Sequence, residues 1–292
     1  MPALPPPGLV WETVREVLLP AMIMSAVVLA VWLSVVGLRA ASAGSALALV
    51  AGFAVTNAIR DALPFALDNT YGLHRLLWAA VPALLFGQLA QPPRMPAWFG
   101  LVLRAGGVGL AMWILAPSGE IDSLSAAWLP WAFAGLVLAS WLIAELSTNR
   151  SLGSDGAWCF VLTSFATAVL LLHASFARGA EAALMLGAAL FGVASVGGWL
   201  RADVRGAIPA AAVLVPGLLL VGKSETFSEV PLISFVLVAL APVALLPTLA
   251  PFLRRFAGMW LLLLRMMLVL SLIVPAVVLA MRAVPDAFEG LP

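Results

Sequence analysis

Apolar runs, most of them about 17–25 residues long, follow one another along this chain with only short polar connections between them. A helix rises 1.5 Å per residue and the hydrocarbon core of a bilayer is about 30 Å thick, so about 20 such residues cross it once. In lipid, every backbone N–H and C=O must be satisfied within the segment, which a helix does and an irregular loop does not. Composition closes the alternative of a soluble fold. The chain of 292 residues is 63% hydrophobic and 10% charged, with a mean hydropathy of +1.10. A water-soluble domain of that size has no interior large enough to hide so much apolar surface. The expected fold is therefore all-α: a polytopic transmembrane helical bundle, with residues 1–292 forming a single integral membrane domain.

Run length and the absence of charge place ten spans, at 17–37, 43–59, 76–90, 97–116, 127–143, 157–176, 182–200, 208–221, 231–253 and 256–281. Proline recurs inside them, at Pro82, Pro209, Pro216, Pro242, Pro247, Pro251 and Pro275, and is expected to kink the helices. Trp11, Trp78, Trp98, Trp113, Trp128, Trp131, Trp141, Trp158 and Trp199 fall near predicted span ends, where indole anchors sit at the membrane interface. Residues 9–20 form an amphipathic lead-in that either lies on the membrane surface or extends the first helix. They lack the basic start of a signal peptide, so the first span is expected to be retained.

Charge is balanced, at 15 Lys+Arg against 14 Asp+Glu. No basic stripe exists to neutralise phosphates, so no nucleic-acid partner is expected. The expected partners are the lipid bilayer and, within it, other membrane proteins or a second copy. Nearly every basic residue is Arg, in an Ala-, Gly- and Leu-rich background that suits a GC-rich bacterial genome and so a cell inner (plasma) membrane. Cys159 is the lone cysteine, which rules out an intramolecular disulfide or a cysteine-based zinc site. No metal and no cofactor is expected.

Connections alternate between two sides. One side carries Arg39, Arg94, Arg150, Arg201, Arg205, Arg254 and Arg255. The other carries Arg15, Arg60, Arg75, Arg178, Lys223 and Arg282, together with most of the acids. The positive-inside rule is close to a tie. The first side is the better cytoplasmic candidate, which puts both termini outside.

The sharpest chemical feature is a pair of arginines inside apolar runs. Arg104 lies roughly 10 Å and Arg265 roughly 13 Å into their spans at 1.5 Å per residue. A guanidinium at that depth demands a partner or water. An anionic ligand would supply one, and so would a carboxylate of the chain, with Glu145 the best candidate. Arg94, Trp98 and Arg104 recur as Arg255, Trp260 and Arg265 at nearly constant offset. This suggests parallel repeats, 17–116 and 182–283, with two spans at 127–176 inserted between them. Ala48 with Gly52, the series Ala188, Gly192 and Ser195, and the cluster Gly106, Gly107 and Gly109 mark expected helix contacts. Asn57 and Gln88 are expected to bond between helices.

The richest polar stretch connects the second and third spans. It holds Arg60, Asp61, Asp68, Tyr71, His74 and Arg75. It is long enough to fold over a vestibule and carries groups capable of acid–base work, yet no H-E-x-x-H or Asp-x-Asp spacing assigns a reaction. The best functional expectation is a carrier of a small solute, with an anion the class that the deep arginines favour. The rivals are a membrane-embedded enzyme acting on a lipid-linked substrate at the polar stretch, and a non-catalytic membrane subunit.

Overall fold

The computed structural model describes residues 11–59, 72–90, 96–115, 124–148, 154–225, 230–250, 253 and 258–283. Among them there are helices and turns and no strand. In chain order the helices are α1 (Trp11–Val35), α2 (Leu38–Ile59), α3 (Gly72–Leu89), α4 (Ala97–Leu115), α5 (Leu124–Thr148), α6 (Ser154–His173), α7 (Ala177–Leu200), α8 (Ile208–Glu225), α9 (Leu232–Leu249) and α10 (Met259–Ala283). Eight are long and apolar enough to cross a membrane, while α3 and α5 carry shorter apolar stretches, Arg75–Leu89 and Trp131–Ser147. The result is a polytopic all-α membrane bundle.

Proline shapes the elements without breaking most of them. Pro20 has no N–H to return to the preceding turn. That turn, Val14–Leu18, opens to π geometry, with the Leu19 N–H donating to the Val14 carbonyl. The lead-in therefore extends the first helix. Pro82, Pro216 and Pro275 lie inside continuous helices. The exception is α9. It is α-helical over Leu232–Leu240 and continues as nine residues of 3₁₀ helix, Ala241–Leu249, rather than as one apolar helix to residue 253.

Helix α8 is the axis of the bundle. Over its span 94% is buried inside the protein, against 22% for α1 and for α10. It packs on α2 through α7 and on α9. A 3₁₀ turn, Arg205–Ala207, leads into it. A Cβ on Gly206 would sit 1.8 Å from the Ser42 carbonyl oxygen and 2.6 Å from Gln88 Nε2. Only glycine lets the entry to α8 lie against α2 so closely.

A seam of small residues joins α1, α2 and α7, as expected of helices that associate without a hydrophobic driving force. A Cβ on Gly52 would meet the Ala21 carbonyl at 2.8 Å, and one on Gly192 would meet Ser25 Oγ at 2.3 Å. Ala48 and Ala188 are buried in the same region. The cluster on α4 behaves less uniformly. Gly107 packs on Phe86 and the Pro82 carbonyl, while Gly109 has nothing within 4 Å of where its Cβ would be. Its contribution is to α3–α4 packing rather than to the surroundings of Arg104.

Two expectations about polar and aromatic side chains need correction. Trp11, Trp98, Trp113, Trp131 and Trp199 are exposed, as membrane anchors are, but Trp141 is 1% exposed. It is a core residue, held between α3 and the start of α8. A Cβ on Gly87 would lie 3.0 Å from its Cζ2 and 2.6 Å from Pro209 Cγ. Asn57 does not bridge helices: its Nδ2 donates to the Phe53 carbonyl of its own helix at 2.7 Å. Gln88 Nε2 is buried and has no protein partner. The side chains of Trp128 and His74 are outside what the structure describes.

Candidate functional site

The last two turns of α5 gather the deep charges. Glu145 projects from there and accepts two hydrogen bonds from Arg104 of α4, from Nε at 3.0 Å and from Nη2 at 2.8 Å. This parallel fork is the strongest arrangement open to a guanidinium and a carboxylate. The two side chains keep 13% and 20% of their surface exposed. One turn before Glu145, the Trp141 ring lies under the guanidinium, 6.0 Å from its carbon to the ring centroid. One turn before Arg104, Gly100 leaves room for the group, since a Cβ there would be 3.0 Å from Nη1. Glu145 is thus the carboxylate that supplies Arg104 with its counter-charge.

Arg265 reaches the same end of α5 from α10. It donates to the Asp155 carboxylate and to the Ser147 backbone carbonyl. The residue is only 2% exposed, and its Nε has no partner. The placement follows from helix electrostatics. Ser147 is in the last turn of α5, where carbonyls lack intrahelical donors and the helix dipole is negative. Asp155 is in the first turn of α6, where the dipole is positive. A cation and an anion therefore bridge two helix ends of opposite sign. Since Glu145 and Ser147 are two residues apart, both arginines lie at the same end of the bundle.

A third pair completes the cluster. In the connection from α7 to α8, Asp203 accepts from the Arg205 backbone N–H at 3.0 Å and from its Nε at 2.9 Å and Nη2 at 2.6 Å. Arg205 also interacts electrostatically with Glu145. Named together, Arg104, Arg205 and Arg265 face Glu145, Asp203 and Asp155, so the cluster carries no net charge. Cys159 is buried one turn beyond Asp155, within the field of Asp155 and Arg265.

Of the residues singled out in the sequence, Arg104, Arg265 and Glu145 are brought together. Arg60, Asp61 and Asp68 lie outside the described residues. His74 and Arg75 are not in a loop but on the first turn of α3. That is the end opposite Gly87, which packs on Trp141. Twelve residues of helix separate Arg75 from Gly87, about 18 Å, so Arg75 is not part of the ion-pair cluster. Asp155, Asp203 and Arg205 are site residues that run length and depth in the sequence do not single out. The readable signal was an acid two residues from a cation, in Asp203 and Arg205, and an acid in the first turn of an apolar run, in Asp155.

The cluster can hold four helices in register, and breaking a pair would release two of them. It offers charges and hydrogen bonds but no nucleophile of evident reactivity. Among the described residues, no group of three or more His, Cys, Asp and Glu could hold a metal ion. No family model matches the chain, and no curated protein shows significant similarity to it.

Proposed function

We propose that this protein is a secondary carrier for a small solute and that the Arg104–Glu145 and Arg265–Asp155 pairs form a gate at one end of the bundle. One observation carries the reading. The two pairs link α4 to α5 and α10 to α6 at the same end, where α9 leaves α-helical geometry. Ion pairs between helices can be exchanged for water or solute when helices part, whereas packed backbones cannot. Both guanidiniums are already neutralised by carboxylates of the chain, so an anionic solute has to displace Glu145 or Asp155 to reach them. Arg104 is the better target, because its partner keeps one fifth of its side chain exposed. The bilayer in this reading is a plasma membrane, with both termini outside the cytoplasm.

Uptake into proteoliposomes tests it, with a panel of small carboxylates, phosphate and neutral solutes. A carrier gives saturable uptake of one class that Glu145→Gln alters. The rival favoured by the one-for-one neutralisation is a membrane subunit in which the pairs are structural. It predicts no uptake of any class, with Glu145→Gln and Asp155→Asn lowering only thermal stability. Reporter fusions at Pro292 and beside Arg254 test the orientation: a cytoplasmic signal at Pro292 would sink it.

A further inference from the structure

We propose that the 3₁₀ half of α9, Ala241–Leu249, is a hinged lever whose docked position is locked by the Ser140 hydroxyl on α5. The proposal extends the gate reading to the moving part of that gate. Stretches of 3₁₀ helix longer than three or four residues are uncommon, and within a helix they mark hinges or strain. This one runs for nine residues.

Its origin is readable in the backbone. The first bond of the tighter kind is from the Ala241 N–H to the Val238 carbonyl. The α-helical donor to that carbonyl would be Pro242, which has no N–H. Pro242 is also the residue three beyond Ala239, so the Ala239 carbonyl lacks a 3₁₀ donor. In lipid such a group needs a replacement. Ser140 supplies it across the helix interface, its hydroxyl donating to the Ala239 carbonyl at 3.3 Å, with both residues buried. Pro247 repeats the defect further on, leaving the Ala244 carbonyl without a 3₁₀ donor, and the Thr248 hydroxyl adds a bond to the neighbouring Leu245 carbonyl at 2.7 Å.

The bond from Ser140 is long for an O–H···O contact, so it is a latch that releases at small cost. The lever packs on α5 and α10, the helices that carry Glu145 and Arg265. Its movement is therefore coupled mechanically to both ion pairs. The two halves of α9 are buried alike, Ser234, Phe235, Val238 and Ala239 in the first and Ala241, Pro242, Leu245 and Thr248 in the second, but the first is a regular α-helix.

Spin labels test this in the full chain in nanodiscs, with Cys159→Ala removing the native thiol. One label is placed at Leu246 on the exposed face of the lever and one at Trp199 on α7, 54% and 85% exposed. A control pair at Leu47 and Trp199, both exposed, joins α2 to α7, two helices held by the small-residue seam. Expected are two distance populations for the lever pair and one for the control, with Ser140→Ala raising the minor population at least twofold. A single population, or two that Ser140→Ala leaves unchanged, overturns the proposal. Should the labelled variants fail to fold, hydrogen exchange on the unaltered protein decides. Amides of the lever should exchange at least tenfold faster than those of Phe235–Leu240, and equal protection overturns the hinge. The two readings fail separately. Uptake by a protein whose lever is static leaves the carrier standing without the hinge, and a moving lever without uptake of any solute does the reverse.

Discussion

The helices around α7 and the helices around α9 are held by different means. On the α7 side, Gly52, Gly192 and Gly206 bring backbones so close that an added Cβ would sit 1.8–2.8 Å from a neighbouring atom. On the α9 side the links are polar: Ser140 to Ala239, Glu145 to Arg104, and Asp155 and the Ser147 carbonyl to Arg265. Lipid tails are as apolar as leucine, so helices in a membrane gain little from apolar contact alone. They associate through close packing or through polar bonds. Close packing has one solution, because backbone atoms cannot be re-sorted. A polar bond has several, because each donor and acceptor can find another partner. The first kind of contact makes a frame, and the second makes a part that can move against it.

The largest expected effect breaks the frame. Gly206→Leu leaves no place for its side chain between the Ser42 carbonyl and Gln88, and overpacking of this kind costs about 3 kcal/mol or more. Little or no monodisperse protein should survive size-exclusion chromatography in detergent. Recovery of wild-type stability would show that α2 and the entry to α8 are not locked.

Next comes Arg265→Met, which strands Asp155 without its cation. Removing one partner of a buried pair costs roughly 3–5 kcal/mol. Replacing both, as Arg265→Met with Asp155→Leu, should restore most of it, since a well-packed apolar pair does as well as a buried ion pair. Thermal unfolding in detergent measures both variants. If the double variant is no better than the single one, the pair contributes more than mutual neutralisation.

Glu145→Gln is smaller, because the amide still accepts one bond from Arg104 and both side chains touch the surface. About 1–2 kcal/mol is expected from losing one charge-assisted bond. A loss as large as that of Arg265→Met would mean that the two pairs are equally buried, against the 20% exposure of Glu145.

Ser140→Ala should cost least, roughly 0.6 kcal/mol for one interhelical hydrogen bond in a membrane. Its effect on the lever should exceed its effect on stability. A Ser140→Ala protein as destabilised as Arg265→Met would place Ser140 in the frame and erase the contrast between the two sides.

Sequence alone determined the class, the helices and the demand for counter-charges. A run of about 20 apolar residues has one stable state in lipid, so the element positions followed from length, with boundaries moving by a few residues at caps and connections. The depth of Arg104 in its run required a partner, and Glu145 was the acid best placed to be one. Three things were decided only by tertiary structure. Helix α8 looks like any other apolar run, and it is central because of which faces meet, a property of the whole bundle at once. Trp141 stands near a span end, as anchors do, yet the glycine at position 87 opens a core site for it. Asp155, rather than a second copy of the Arg104–Glu145 arrangement, meets Arg265, because the ends of α5 and α6 bring a carbonyl and a carboxylate to one guanidinium. Helix formation is local, satisfied within four residues, and can be read along the chain. Which deep charges meet depends on contacts 41 residues apart for Arg104 and Glu145 and 110 apart for Arg265 and Asp155, and only packing specifies those.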